Sequence, residues 1–161
     1  MIFEIKKGKH RSFLKLKFPF FTINNSKRFN ICLIGDHKYK FMSKSDQIKT
    51  NKLVGLSDSY YHRINSIRVG FRYYKDKFDL MAYYYNNGKH YAEVIGEIYE
   101  NIEFSIEIKI TKYNYIIIFN NNEYKFNRTS KWFLPRYFTY PYFGGNLPTP
   151  KDIKIKVEYI D

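Results

Sequence analysis

From Ile102 to Ile110 the even positions are Ile102, Phe104, Ile106, Ile108 and Ile110, and the odd ones are Glu103, Ser105, Glu107 and Lys109. On a helix those apolar residues would scatter around the circumference; on a strand they all share one face. The pattern returns at Ile153, Ile155, Val157 and Tyr159, and at Ile67, Val69, Phe71 and Tyr73. Turn signals separate such runs: Lys75-Asp76-Lys77, Asn86-Asn87-Gly88, Glu100-Asn101, Lys112 to Asn114, and Asn120-Asn121-Asn122. Asn-Gly supplies the positive φ of a tight hairpin. Residues 66–127 therefore read as a meander of about six strands. Further strands are predicted near 2–6, 10–18, 28–34, 37–42, 133–140 and 152–160. Met42 to Ser59 lacks the period and reads as the longest loop, with one helical turn around Ser45 to Lys49.

A dozen strands are too many for one open twisted sheet, whereas two facing sheets bury both sets of apolar stripes. The expected fold is all-β, an antiparallel two-sheet β-sandwich, jelly-roll or concanavalin-like, forming a single domain over residues 1–161. The apolar fraction of 44% excludes a generally disordered chain. Met1 to Lys9 has no apolar core of a signal peptide, and the longest clean apolar run, Tyr115 to Phe119, is too short to span a bilayer. These features predict a cytoplasmic or virion-associated protein without membrane insertion. The single cysteine, Cys32, permits no intrachain disulfide and reads as a buried, inert thiol.

Charge changes the picture. Up to Arg72 the chain holds 16 basic and four acidic residues; after it, 12 and 11. AT-rich codon usage accounts for part of the lysine content but not for this excess over acids. Such asymmetry implies an electropositive surface and an acidic partner.

Alternation through the meander projects Arg68, Arg72, Tyr74, Tyr83, Tyr85 and Tyr91 from one sheet face, beside Lys89. Aromatic rings stack on sugars or bases, and guanidinium groups grip carboxylates or phosphates. The same residues also serve as cross-strand pairs or protein-interface anchors. His62 and Asn65 enter a strand and are candidate contacts at its end, although such residues often satisfy loop backbone instead. The glycine pair at Gly144-Gly145 lacks a following Lys-Ser/Thr and reads as a structural corner. Glu93, Glu97, Glu103 and Glu107 form no paired-carboxylate set for glycoside hydrolysis. His10, His37, His62 and His90 have no metal-ligand spacing, and no nucleophile elbow occurs. The expectation is a protein without catalytic activity, metal or cofactor.

Asn51-Lys52-Leu53-Val54-Gly55, His62 with Asn65 to Arg72, Asn87-Gly88-Lys89, and Pro141 to Asn146 with Pro150 and Asp152-Ile153 resemble small uncharacterised sandwich proteins of Bacteroidota and their tailed phages. The resemblance covers about residues 51–160 by its turn and strand signals. It implies the fold and carries no active site; the acid cluster of concanavalin-like glucanases is missing. The leading expectation is a structural or accessory component of a larger assembly such as a phage particle, its basic surface meeting an acidic neighbour, either another protein subunit or packaged nucleic acid. The alternatives are a carbohydrate-binding module for acidic glycans, using the Tyr/Arg face, and a nucleic-acid-binding protein.

Overall fold

The computed structural model describes residues 1–13, 21–133 and 135–160. Twelve strands and one helical turn follow one another: β1 (Ile2–Ile5), β2 (Phe21–Thr22), β3 (Ser26–Ile34), α1 (Lys44–Gln47), β4 (Asn51–Ser57), β5 (Ser66–Tyr74), β6 (Lys77–Asn86), β7 (Lys89–Ile98), β8 (Phe104–Ile110), β9 (Asn114–Phe119), β10 (Asn122–Asn127), β11 (Arg136–Thr139) and β12 (Ile153–Ile160). They form two antiparallel six-stranded sheets, ordered β1-β12-β3-β8-β9-β10 and β2-β11-β4-β5-β6-β7. The fold is the expected jelly-roll β-sandwich.

The alternating stripes make the core. Phe29, Ile31, Ile106, Ile108, Ile155 and Val157 of the first sheet are buried with Leu56, Ile67, Val69, Phe71 and Leu80 of the second. Three hairpins turn on two residues with positive φ: Lys75-Asp76, Asn87-Gly88 and Asn120-Asn121. That geometry matches the right-handed twist of the flanking strands. It fixes the register of β5 on β6, β6 on β7 and β9 on β10.

Three expectations need correction, and a fourth falls largely outside the described residues. Part of the predicted loop is β4, a strand in the middle of its sheet with nearly every residue buried. A bulge between Lys52 and Val54 breaks its period, and its outward positions beyond the bulge are the small residues Gly55 and Ser57. Residues 37–42 form no strand. Of the strand predicted at 10–18, Arg11 makes an isolated bridge to Tyr142, and residues 14–18 lie outside the described residues. Cys32 is only half-buried, because Ile31 and Leu33 take the inner positions of β3.

Gly55 and Gly70 allow a close approach of β4 and β5. A Cβ on Gly55 would lie 2.4 Å from the Ile67 carbonyl oxygen and 2.7 Å from Arg68 Cγ. Gly55→Ala is expected to cost about 1–3 kcal/mol by overpacking and to displace the Arg68 side chain. Urea denaturation measures the first effect; an unchanged midpoint would reject the close approach.

Candidate functional site

Directly opposed residues of antiparallel strands project to the same side, so the register assembles the outer face of the second sheet in rows. One row runs Tyr137, Ser57, Ser66, Tyr85, His90. The next runs Thr139, Gly55, Arg68, Tyr83, Ala92, and the third Arg11, Tyr142, Lys52, Gly70, Met81, Val94. Small residues make the floor, and tyrosines with cations stand around it.

Arg68 occupies the centre. It is 7% exposed, its Nε has no hydrogen-bond partner, and no carboxylate pairs with it among the described residues. Burial, relieved only in part by Tyr83, Tyr85 and Tyr137, pulls its pKa down to about 10. Ser66 Oγ and Thr139 Oγ1 are also buried without partners. Lys52 Nζ lies 4.3 Å from the Tyr83 ring centroid. Burial first, then Arg68, Lys49 and Arg63, lower its pKa to about 8. The Tyr83 and Tyr85 hydroxyls are 3.4 Å apart, and the Tyr83 ring stacks on His90 at 5.7 Å. Burial, with Tyr85 next, pushes the Tyr83 phenol well above its usual range, so it keeps its proton at neutral pH.

The loop between β4 and β5 adds His62. Its backbone N–H donates to the Tyr137 hydroxyl at 2.9 Å, and its Nδ1 lies 3.3 Å from the same oxygen. Burial, then Arg68, Arg63 and Arg11, lower its pKa to about 4, so the ring is neutral near pH 7. Arg68, Lys52, Arg63, Lys49 and Arg11 thus share a field that no acid offsets among the described residues. Unpaired buried charge is costly, and here it waits beside unpartnered hydroxyls. The arrangement is built to receive an anion with polar groups around it.

Of the sequence candidates, Arg68, Tyr83, Tyr85 and His62 come together here. Arg72 does not join them: its Nε donates to Asp79 Oδ2 at 2.8 Å, and its guanidinium lies over Tyr74 at the far end of β5. Tyr91 is on the opposite side, stacked on Tyr84 at 5.0 Å. Ile95 is an extra residue in β7, between Val94 opposite Met81 and Gly96 opposite Leu80. This bulge reverses the alternation, so Ala92 and Val94 face outward and Tyr91 and Glu93 do not. Lys89 sits at the hairpin end opposite Asn86, on the other side from His90. Asn65 serves the loop: its Oδ1 accepts from the Asn87 N–H at 3.0 Å. Lys52, Arg63, Tyr137 and Tyr142 were not singled out from the sequence. They arrive from separate segments, and only Arg63 adjoins a residue the sequence offered, His62.

A concavity of about 680 Å³ lies at the other end of the molecule beside Tyr99, Ile102 and Glu103. Glu103 there pairs with Lys156 and Glu107 with Arg28 and Lys109, and none of its lining side chains has a buried, unpartnered polar atom. The chemistry concentrates on the Arg68 face instead.

No family model and no curated protein sequence matches the chain. Solved structures do. An alginate lyase from Chlorella virus, vAL-1, is similar at a TM-score of 0.60 with 14% identity, over 98% of this chain and 81% of that one. The alginate lyase AlyC3 gives 0.64 with 12% identity, over 99% and 74%. A Saccharomyces cerevisiae protein of unknown function gives 0.53 with 8% identity, over 99% and 86%. At these identities the likeness is one of fold: the chain shares their β-sandwich.

Proposed function

We propose that the outer face of the second sheet binds a polymer of acidic sugars and cleaves it by β-elimination. The observation that carries this is the buried Arg68 and half-buried Lys52, with no acid beside them among the described residues, against the Tyr83–Tyr85 hydroxyl pair. Two of the similar folds belong to alginate lyases, which supports a lyase reading without identifying the polymer.

Arg68 takes the carboxylate of one uronate residue. Neutralising that group acidifies the adjacent C5–H, the difficult proton in such a reaction. Lys52, neutral in a substantial fraction near pH 8, removes it. The electron pair left on C5 forms the C4–C5 double bond, and the C4–O bond to the leaving sugar breaks. Tyr83, which retains its phenolic proton, gives that proton to the departing oxygen. The proton gained by Lys52 then returns to Tyr83, whose ring lies beside the ammonium group. No water is consumed, and the product carries an unsaturated uronate at its new end. Neither a carboxylate pair nor a metal is required by these steps.

Ultraviolet absorbance of that conjugated product tests the reading on a panel of polyuronates. Log kcat/KM is expected to rise with unit slope up to about pH 8 and then level, because the free protein's base must lose its proton. Lys52→Met is expected to remove both turnover and the limb. A flat profile across roughly pH 6–9 in an active protein would exclude Lys52 as the base.

The charge asymmetry also admits an acidic protein subunit or a nucleic acid as occupant of this face, including a role within a phage particle. Steeply salt-dependent retention of nucleic acid with no turnover of any polyuronate would assign the face to phosphate polymers. A stable oligomer that shields the tyrosines would assign it to an assembly.

A further inference from the structure

The third row extends past Lys52 to Tyr142 and Arg11, the two bridged in turn to their neighbours. With strands about 4.8 Å apart, the Arg11 backbone lies about 10 Å from that of Lys52. The Arg11 guanidinium is 5.5 Å from the Tyr142 ring centroid. His10 stacks on the same ring at 5.3 Å and 12°. Its Nδ1 lies 2.8 Å from the Phe143 carbonyl oxygen. A carbonyl only accepts, so Nδ1 carries the proton and the ring is fixed in place. Tyr142 in turn is tied by both backbone hydrogen bonds to Lys52, at 2.8 and 2.9 Å. Arg11 is therefore held by aromatic contact rather than by an acid, and it forms no ion pair among the described residues. An arginine so braced keeps its charge available and loses little freedom on binding.

A single anion needs only Arg68 and Lys52. A second braced cation about two strands away in the same row has a use only when the ligand carries a second negative charge at a matching distance. We infer that Arg11, braced by Tyr142 and His10, forms a second anion subsite that takes another acidic sugar of the same chain, so that the site selects polymers with repeated rather than isolated carboxylates. This rests on the acidic-polysaccharide reading of the face, but not on its catalytic part.

The test is calorimetric binding of uronate oligomers of increasing length, with length-matched neutral oligomers as control, at a pH well below 8 where a protonated Lys52 keeps any turnover slow. For the wild type, affinity for the uronates is expected to rise by about tenfold at the length that first reaches Arg11, equivalent to roughly 1.4 kcal/mol. Arg11→Gln is expected to abolish that step and leave the shortest bound oligomer unaffected. Because Arg11 is exposed, this variant should fold normally. Equal weakening at all lengths, or no change at any length, overturns the subsite. Absence of turnover with the length step intact removes the lyase reading and leaves the subsite standing. Absence of uronate binding at every length removes both.

Discussion

Arg68→Met is expected to lower turnover by about 100-fold to 1,000-fold and to weaken glycan retention, while raising the melting temperature. The two effects have one cause. The wild-type guanidinium is held in the sheet face without a carboxylate, its Nε unpartnered, and burial disfavours its charge. An ion removed from water without compensation costs several kcal/mol. Methionine keeps an unbranched stem over Gly55, whose missing side chain leaves room for it, and needs no hydrogen bond. A gain of about 1 kcal/mol or more is expected from relieving a strained functional site. On the chemical side, losing the group that neutralises the developing charge costs about 100-fold to 1,000-fold in rate. Calorimetric melting and the unsaturation assay, run on the same preparation, read both. If Arg68→Met lowered stability by 2 kcal/mol or more, the arginine would be a structural residue satisfied in place, and the site reading would lose its centre.

The period-two stripes revealed the sandwich because one side of each strand faces the apolar core between the sheets, and alternation records that asymmetry directly. They failed at β4, where a bulge between Lys52 and Val54 breaks the period, and the miss hid Lys52 and Gly55 together. They also failed beyond the Ile95 bulge, where one extra residue exchanged Tyr91 for Ala92 on the outer face. The neutralisation of Arg72 was legible in principle. A hairpin turning on Lys75-Asp76 sets Arg72 opposite Asp79, and a cross-strand ion pair follows. Tyr137, Tyr142 and Arg11 had no such signal, since long-range sheet order brings them to Ser57 and Lys52. The expectation of no catalysis came from a search for paired acids, metal ligands and nucleophile elbows. The proposed site of cations and phenols uses none of these, and its residue types are the same ones that decorate ordinary sheet faces. What separates them is burial without partners, a property visible only in three dimensions.

Beneath the β4–β5 loop, Asp58→Asn is expected to lower the melting temperature by about 10 °C. Asp58 is fully buried at the base of the loop that carries His62 and Arg63. Its carboxylate accepts from Arg128 Nε at 2.6 Å and Nη2 at 2.9 Å, from Arg136 Nε at 3.2 Å and from the Tyr115 hydroxyl at 2.9 Å. Arg128 also donates to the carbonyls of Thr111, Lys112 and Trp132, and Arg136 to Asn25 Oδ1. One carboxylate therefore joins the end of β4 to β9, β11 and the segment between β10 and β11. The amide is nearly the same size, but it leaves two buried guanidinium groups facing each other with no counter-charge. Removing one partner from a buried ion cluster costs about 3–5 kcal/mol. At about 2–4 °C per kcal/mol for a chain of this size, the shift should be at least several degrees and about 10 °C at the centre of the range. Arg136→Met in the Asp58→Asn background removes one of the two stranded charges and should recover part of the loss. That partial rescue distinguishes an electrostatic cause from lost packing, which the second substitution could only worsen. A shift below about 2 °C, or no rescue, would mean that the loop is held by its backbone bonds alone. In that case His62 and Arg63 would owe their positions to the Asp58–Asn65 backbone bond rather than to the buried charge cluster.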